Sequence, residues 1–166
     1  GAGSDAAAIA TKAERRGERY VVNGQKLYIT CAHVANHLVT AVRTGPSGDP
    51  QFAGHKGISM LLIPADAPGV TIRMLDTLGR RTTRANEVFF DNVEVPAENL
   101  IGAENKGWRG LMKCLNMERL CLAAAGAGNT QHVIDYAKDY ATQRVQFGQP
   151  ITQFQAIAHK FADMRI

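Results

Sequence analysis

The sequence predicts an α+β protein in which a small antiparallel β-barrel or sandwich is followed by part of an antiparallel helical bundle. Over the first two thirds of the chain, short runs rich in β-branched and aromatic residues alternate with clusters of Gly, Pro, Asp and Asn. After Trp108 the spacing becomes helical, because apolar residues recur every three or four positions. Strands that precede helices, rather than alternating with them, are typical of α+β folds.

The predicted strands are short and are bounded by turn residues. Residues 20–29 are expected to form a hairpin with Asn23-Gly24 as a type I′ turn, because Asn-Gly tolerates the positive φ values that this turn requires. The remaining predicted strands are residues 8–13, 37–43, 58–64, 70–74 and 87–95. The turn clusters assigned between strands are residues 45–50, residues 66–69 and Asp91-Asn92.

Three helical segments are predicted after the strands. The first covers residues 108 to about 129, with a bend or break near Gly126 and Gly128, since glycine is a poor helix former. The second covers residues 132–143. The third is expected to begin at residues 152–155, where Thr-x-x-Gln matches a capping box.

Composition excludes several classes of protein. The net charge of +4 comes without a dense Lys/Arg stripe, which argues against nucleic-acid binding, and no apolar run has the length of a membrane span. The three cysteines lack the spacing of a zinc site or a disulfide framework, and reduced thiols indicate a bacterial cytoplasm or a mitochondrial matrix. The chain begins without Met and ends inside a helical pattern, so we expect it to be an internal piece of a longer protein.

Glu118 interrupts an apolar stripe on the first predicted helix. At about 100° per residue it shares one face with Leu111, Leu115 and Leu122. Such a carboxylate can pair with an arginine or lie at a subunit interface, and the pattern alone favours this structural interpretation. The alternative is a general base, because burial raises the pKa of a carboxyl group towards neutrality.

Three other features each have two interpretations. Arg144 can complement the dipole at a helix C-terminus or bind a phosphate. Gln155 can cap a helix or contact a ligand. The small residues of the segment 1–5, with the Ser4 hydroxyl, can form a plain turn or allow a ligand to approach the backbone.

Taken together, these segments resemble the acyl-CoA dehydrogenase family over essentially the whole chain. No single motif is decisive, but the ordered set is specific. The matching segments are residues 1–5, 23–30 and 88–96, Glu118-Arg119, Arg144-x-x-Phe147-Gly148 and residues 154–164. By this resemblance, residues 1–103 are the FAD-binding middle β-domain, truncated at its N-terminal side. Residues 104–166 are then the first helices of the C-terminal helical domain, also truncated.

The resemblance implies a flavin enzyme. In the family, FAD lies between the β-domain and the C-terminal helices, and a base removes the α-proton of an acyl-CoA thioester while the β-hydride passes to the flavin. The product is a trans-2-enoyl-CoA, and an electron-transferring flavoprotein accepts the electrons. A homotetramer and a role in fatty acid or branched-chain amino acid catabolism are also implied.

In the β part, the resemblance implies that Tyr28, Ile29 and Thr30 form the strand against the flavin ring, with Thr30 near the reactive nitrogen. Most relatives carry Trp at the position of Tyr28. Ser4 resembles the residue that touches both flavin and substrate.

In the helical part, the implied FAD contacts are Arg144, Gln146, Phe147 and Gln155. Asn116 and Arg119 match positions that contact the acyl-CoA. Glu118-Arg119-Leu120 resembles the base segment of isovaleryl and long-chain members, which favours Glu118 as the catalytic base. Most of the family instead carries the base in a C-terminal segment that this chain does not contain.

Two alternatives remain open at this point. Acyl-CoA oxidases and flavin monooxygenases share the scaffold but pass electrons to oxygen. A non-catalytic module, with a β-sandwich and a helical oligomerisation stalk, would bind no flavin.

Overall fold

The computed structural model describes residues 3–46 and 48–165, and it confirms the α+β class. The chain divides into two compact units, Gly1–Lys113 and Cys114–Ile166. The first unit contains the large sheet, and the second consists mainly of helix. None of the helices in these described ranges is both long and apolar enough to cross a membrane.

Seven strands form one open sheet. Their bounds are Lys12–Arg16 for β1, Arg19–Thr30 for β2, His37–Arg43 for β3, Ile58–Pro64 for β4, Val70–Met74 for β5, Ala85–Pro96 for β6 and Leu100–Ile101 for β7. Across the sheet they lie in the order β5-β6-β2-β1-β3-β4-β7. Neighbouring strands are antiparallel except β1 and β3, which pair in parallel at Lys12 and Arg43. The sheet does not close into a barrel, so the sandwich form of the prediction is the one that fits.

One hydrophobic core lies against this sheet. Alternate residues of β2 and β6 point into it, and Tyr20, Val22, Val93 and Val95 are fully buried. This period of two follows from the pleat of a strand, which sends successive side chains to opposite faces. The strands predicted for residues 37–43, 58–64 and 70–74 are confirmed as β3, β4 and β5.

The hairpin predicted at Asn23-Gly24 is wrong. β2 runs through both residues, and the chain reverses earlier, at Gly17, whose φ is +62°. Gly24 instead lies beside Thr11, and a Cβ atom there would stand 2.8 Å from the Thr11 Cα. Pairing of β2 with the long strand β6 therefore overrides the local turn signal.

Two other local signals in the β part are also corrected. Asp91-Asn92 forms a bulge inside β6 rather than a turn, because two β6 residues face Asn23 where the register shifts. The side-chain oxygen of Asn23 accepts a hydrogen bond from the Asn92 N–H at 2.9 Å. The strand predicted at residues 8–13 begins later, at Lys12, after a 3₁₀ turn at Ala6–Ala8.

The first two predicted helices form one continuous helix, α1, which covers Gly107–Gln143. Gly126 and Gly128 lie within it, so their cost of about 1 kcal/mol each does not break the helix. The predicted break is therefore wrong.

A two-stranded ribbon follows α1, with β8 at Val145–Gln146 and β9 at Gln149–Pro150. The last helix, α2, covers Gln155–Asp163. The predicted capping box is wrong, because Thr152 lies in a 3₁₀ turn and Phe154 occupies the N-cap without a side-chain hydrogen bond.

Candidate functional site

The C-terminal end of β2 carries an exposed aromatic residue. Tyr28 has a φ of +60° and is 68% exposed. An extra residue stands in β2 between Lys26 and Ile29, where the pairing with β6 shifts. In a regular strand Tyr28 would point to the same face as Tyr20, because the two residues are an even number of positions apart. The extra residue reverses this alternation and turns the Tyr28 ring outwards.

A buried asparagine holds this end of β2 in place. The fully buried Asn86 donates from its side-chain amide to the Ile29 carbonyl at 2.8 Å. Beyond the exposed Thr30, the Cys31 N–H donates to the Thr83 carbonyl at 3.1 Å. Tyr28 and Thr30 are therefore presented on a fixed segment. The motif comparison missed Asn86, which gives no signal beyond a polar residue among strand-forming neighbours.

A cavity of about 380 Å³ lies beside the same segment, within the first unit. Ile29, Leu38 and Phe90 are among its apolar lining residues. Lys26 and Thr30 contribute polar groups. The end of β2 thus has an exposed aromatic side chain at Tyr28 and a cavity beside Ile29 and Thr30.

Lys26 crosses a gap in the sheet. Because β1 pairs with β2 only up to Asn23, the later part of β2 has no β1 neighbour. The Lys26 ammonium spans this gap and donates to the Ala41 carbonyl of β3 at 2.6 Å. Burial lowers the pKa of Lys26 from 10.5 to about 8. Lys26 is an even number of residues from Tyr20 and Val22 in the same strand, so all three side chains point to one face. Its inward position could have been predicted from this alternation.

The segment that carries Ser4 is the start of the described chain. Ser4 is exposed and follows Gly3, whose φ of +51° favours glycine. Gly1 and Ala2 of the matching motif lie outside the described residues. Ser4 and the Tyr28 segment both belong to the first unit.

The candidate acyl-CoA residues lie on α1 in the second unit. Asn116, Glu118 and Arg119 are all exposed, and Arg119 donates to the Asn116 side-chain oxygen at 2.6 Å. Glu118 makes no ion pair within residues 3–46 and 48–165. Leu122 of the same stripe is 57% exposed, so the described part of α1 does not itself provide the apolar surroundings expected for a base. The assignment of Glu118 stays a prediction.

The candidate FAD residues of the second unit lie in and beside the β8-β9 ribbon and at the start of α2. Arg144, Gln146 and Phe147 are exposed, and Phe147 is 92% exposed at a φ of +52°. Its ring meets Phe154 edge-on, with ring centroids 6.1 Å apart. Gln155 is exposed and is the first residue of α2, not the third helical residue that the predicted cap required.

Known proteins match nearly the whole chain. The family model described as "Acyl-CoA dehydrogenase, middle domain" matches residues 1–93, and "Acyl-CoA dehydrogenase, C-terminal domain" matches residues 105–166.

Individual relatives agree. A probable acyl-CoA dehydrogenase of Bacillus subtilis is 42% identical over 98% of this chain and 42% of its own length. The mitochondrial isovaleryl-CoA dehydrogenase of Oryza sativa is 42% identical over 98% of this chain and 39% of its own length.

The crystal structure of an FAD-dependent dehydrogenase has a TM-score of 0.88 at 33% identity, covering 99% of this chain and 43% of that one. The chain therefore spans about two fifths of the length of the relatives that it matches. The chain belongs to the acyl-CoA dehydrogenase family.

Proposed function

We propose that the protein containing this chain binds FAD and oxidises an acyl-CoA thioester to the trans-2-enoyl-CoA, with an electron-transferring flavoprotein as electron acceptor. The observation that carries the proposal is the bulged end of β2, which presents an aromatic ring and a hydroxyl group on a fixed segment in a chain of this family. Residues 1–103 then belong to the FAD-binding middle domain, and residues 104–166 to the C-terminal helical domain.

The side chains of the first unit fit the ring of FAD. The flavin ring is flat and largely apolar with a polar edge, so it suits an exposed Tyr28 ring beside the Thr30 hydroxyl. Tyr28 in place of the Trp of most relatives keeps an aromatic face. The Ser4 hydroxyl supplies a further polar contact to flavin and substrate.

The side chains of the second unit fit the phosphates and adenosine of FAD. The planar guanidinium of Arg144 suits a pyrophosphate, and it forms no ion pair in the part of the chain that the structure describes. Phe147 and the amides of Gln146 and Gln155 offer stacking and hydrogen bonds. In the intact protein, these residues would serve a neighbouring subunit of the homotetramer.

FAD, when bound, supplies the capacity to accept two electrons from the substrate. Glu118 accepts the α-proton of the thioester, while Asn116 and Arg119 hold the acyl-CoA. Glu118 is exposed in this chain, so the proposal requires that bound substrate or a further part of the intact protein covers it during the reaction. The proposed location is a bacterial cytoplasm or a mitochondrial matrix.

Anaerobic reduction of the full-length protein tests this function. We expect a yellow protein whose flavin absorbance falls when acyl-CoA thioesters of straight or branched chains are added. After air is admitted, reoxidation should be slow. Fast reoxidation would instead assign the protein to the acyl-CoA oxidases, and a colourless protein that takes up no FAD would favour a non-catalytic oligomerisation module.

A further inference from the structure

The guanidinium of Arg43, at the C-terminal end of β3, contacts backbone carbonyls from two separate segments. It donates to the carbonyls of Ala7 at 2.8 Å and Ile9 at 3.0 Å. On its other side it donates to the carbonyls of Gly54 at 2.9 Å and Phe52 at 3.3 Å. One side chain thus joins the start of the chain to the loop before β4.

The chemistry of these contacts requires an arginine. All four acceptors are neutral carbonyls, and Arg43 forms no ion pair with any described carboxylate. A guanidinium carries five N–H donors in a rigid plane, so it can bond groups on opposite sides at once. A lysine ammonium carries its donors on one atom and cannot span both segments. The Arg43 backbone is itself fixed, because its N–H donates to the Thr11 carbonyl at 2.7 Å.

The segment held by Arg43 leads directly to Ser4. Ala7 lies in the 3₁₀ turn Ala6–Ala8, and the Ala8 N–H donates back to the Asp5 carbonyl at 2.9 Å. The turn therefore links the Ala7 carbonyl, which Arg43 binds, to Asp5, the residue next to Ser4. Ser4 is exposed, and no side-chain hydrogen bond holds it within the described residues.

We propose that Arg43 is a positioning residue, which fixes the segment 4–9 so that Ser4 meets flavin and substrate. The inference rests on the proposed function, because it takes the Ser4 contact from there. In this role Arg43 acts through the carbonyls of Ala7 and Ile9.

A double-mutant cycle on FAD affinity tests this coupling in the full-length protein. Ser4→Ala should weaken FAD binding about fivefold, as expected for one lost hydrogen bond. In an Arg43→Lys background the same change should weaken binding less than twofold, because Ser4 is no longer held in place. Arg16→Lys is the control, since Arg16 is exposed and forms an ion pair with the neighbouring Glu14 on the same strand. In that background the fivefold effect should persist.

A purely structural role would lower the yield of folded protein but leave the Ser4 effect unchanged. An equal Ser4→Ala effect in the Arg43→Lys background, or no Ser4→Ala effect in the parent protein, would overturn the inference.

Hydrogen exchange provides a second measurement that does not depend on flavin. In flavin-free protein, Arg43→Lys should speed exchange of the Ala8 amide at least tenfold and leave the β2 amides unchanged. Unchanged exchange at Ala8 would refute the positioning role. A parent protein that binds no flavin would refute the proposed function, while this measurement still tests what Arg43 holds.

Discussion

Replacement of Lys26 by Met should change how stability depends on pH. Burial lowers the pKa of Lys26 from 10.5 to about 8 in the folded protein. Below pH 8 the amine is protonated in both the folded and the unfolded state, so it adds no pH dependence. Between pH 8 and 10.5 the unfolded chain retains a proton that the folded protein has lost, so the free energy of unfolding rises with pH.

The magnitude follows from the size of the shift. At about 1.4 kcal/mol per pH unit, a fall in pKa from 10.5 to about 8 corresponds to roughly 3 kcal/mol across this interval. Met has a similar length and no titratable group, so the Lys26→Met variant should lack this increase. It also loses the hydrogen bond to the Ala41 carbonyl, but that loss lowers the free energy of unfolding at every pH in the interval.

Urea unfolding of the full-length protein at pH 7.5, 9 and 10.5 measures the effect. The parent protein should gain stability relative to Lys26→Met as the pH rises, by about 3 kcal/mol in total. Lys138→Met is the matched control, because Lys138 is exposed, and it should follow the parent protein. If parent and Lys26→Met show parallel pH dependence, Lys26 is not desolvated, and this account of the gap between β2 and β3 fails.

Three further substitutions probe β2. Asn86→Ala should cost about 2 kcal/mol of unfolding free energy in a urea titration, because the Ile29 carbonyl loses the donor that the buried Asn86 supplies; an unchanged midpoint would contradict this. Gly24→Ala should cost at least about 2 kcal/mol, since φ is +143° and the new Cβ meets Thr11 at 2.8 Å; a variant as stable as the parent would exclude the close contact. Tyr28→Trp should keep the FAD affinity of the parent protein, and Tyr28→Ala should lower it about tenfold. If Tyr28→Ala binds FAD as tightly as the parent in a fluorescence titration, Tyr28 does not contact the flavin.

Strand and helix content could be predicted from the sequence because it depends on local periodicity. His37–Arg43, Ile58–Pro64 and Val70–Met74 appear at the predicted residues, since each is a short run bounded by turn residues. The hairpin at Asn23-Gly24 failed for a non-local reason. β6 offers a partner along the whole of β2, and this long-range pairing keeps Asn23-Gly24 within the strand.

The candidate site, like the fold, could be predicted from the sequence only where local motifs mark its residues. Tyr28 and Thr30 were predicted by their place in an ordered set of motifs, but the bulge that exposes Tyr28 depends on register with β6. Asn86 and Arg43 act through backbone carbonyls that are distant in sequence, so no local motif marks them. Glu118 depends on what covers α1, and the chain spans only about two fifths of its relatives' length.

Stopped-flow bleaching of the flavin by acyl-CoA in a Glu118→Gln variant of the full-length protein tests the proposed chemistry most directly. Glu98→Gln serves as the control, because Glu98 is an exposed carboxylate on a turn. We predict that both variants retain FAD, that Glu98→Gln bleaches at the parent rate, and that Glu118→Gln bleaches about a hundredfold to ten-thousandfold more slowly. Bleaching of Glu118→Gln at the parent rate would contradict the account, because the proton would then leave by way of another residue.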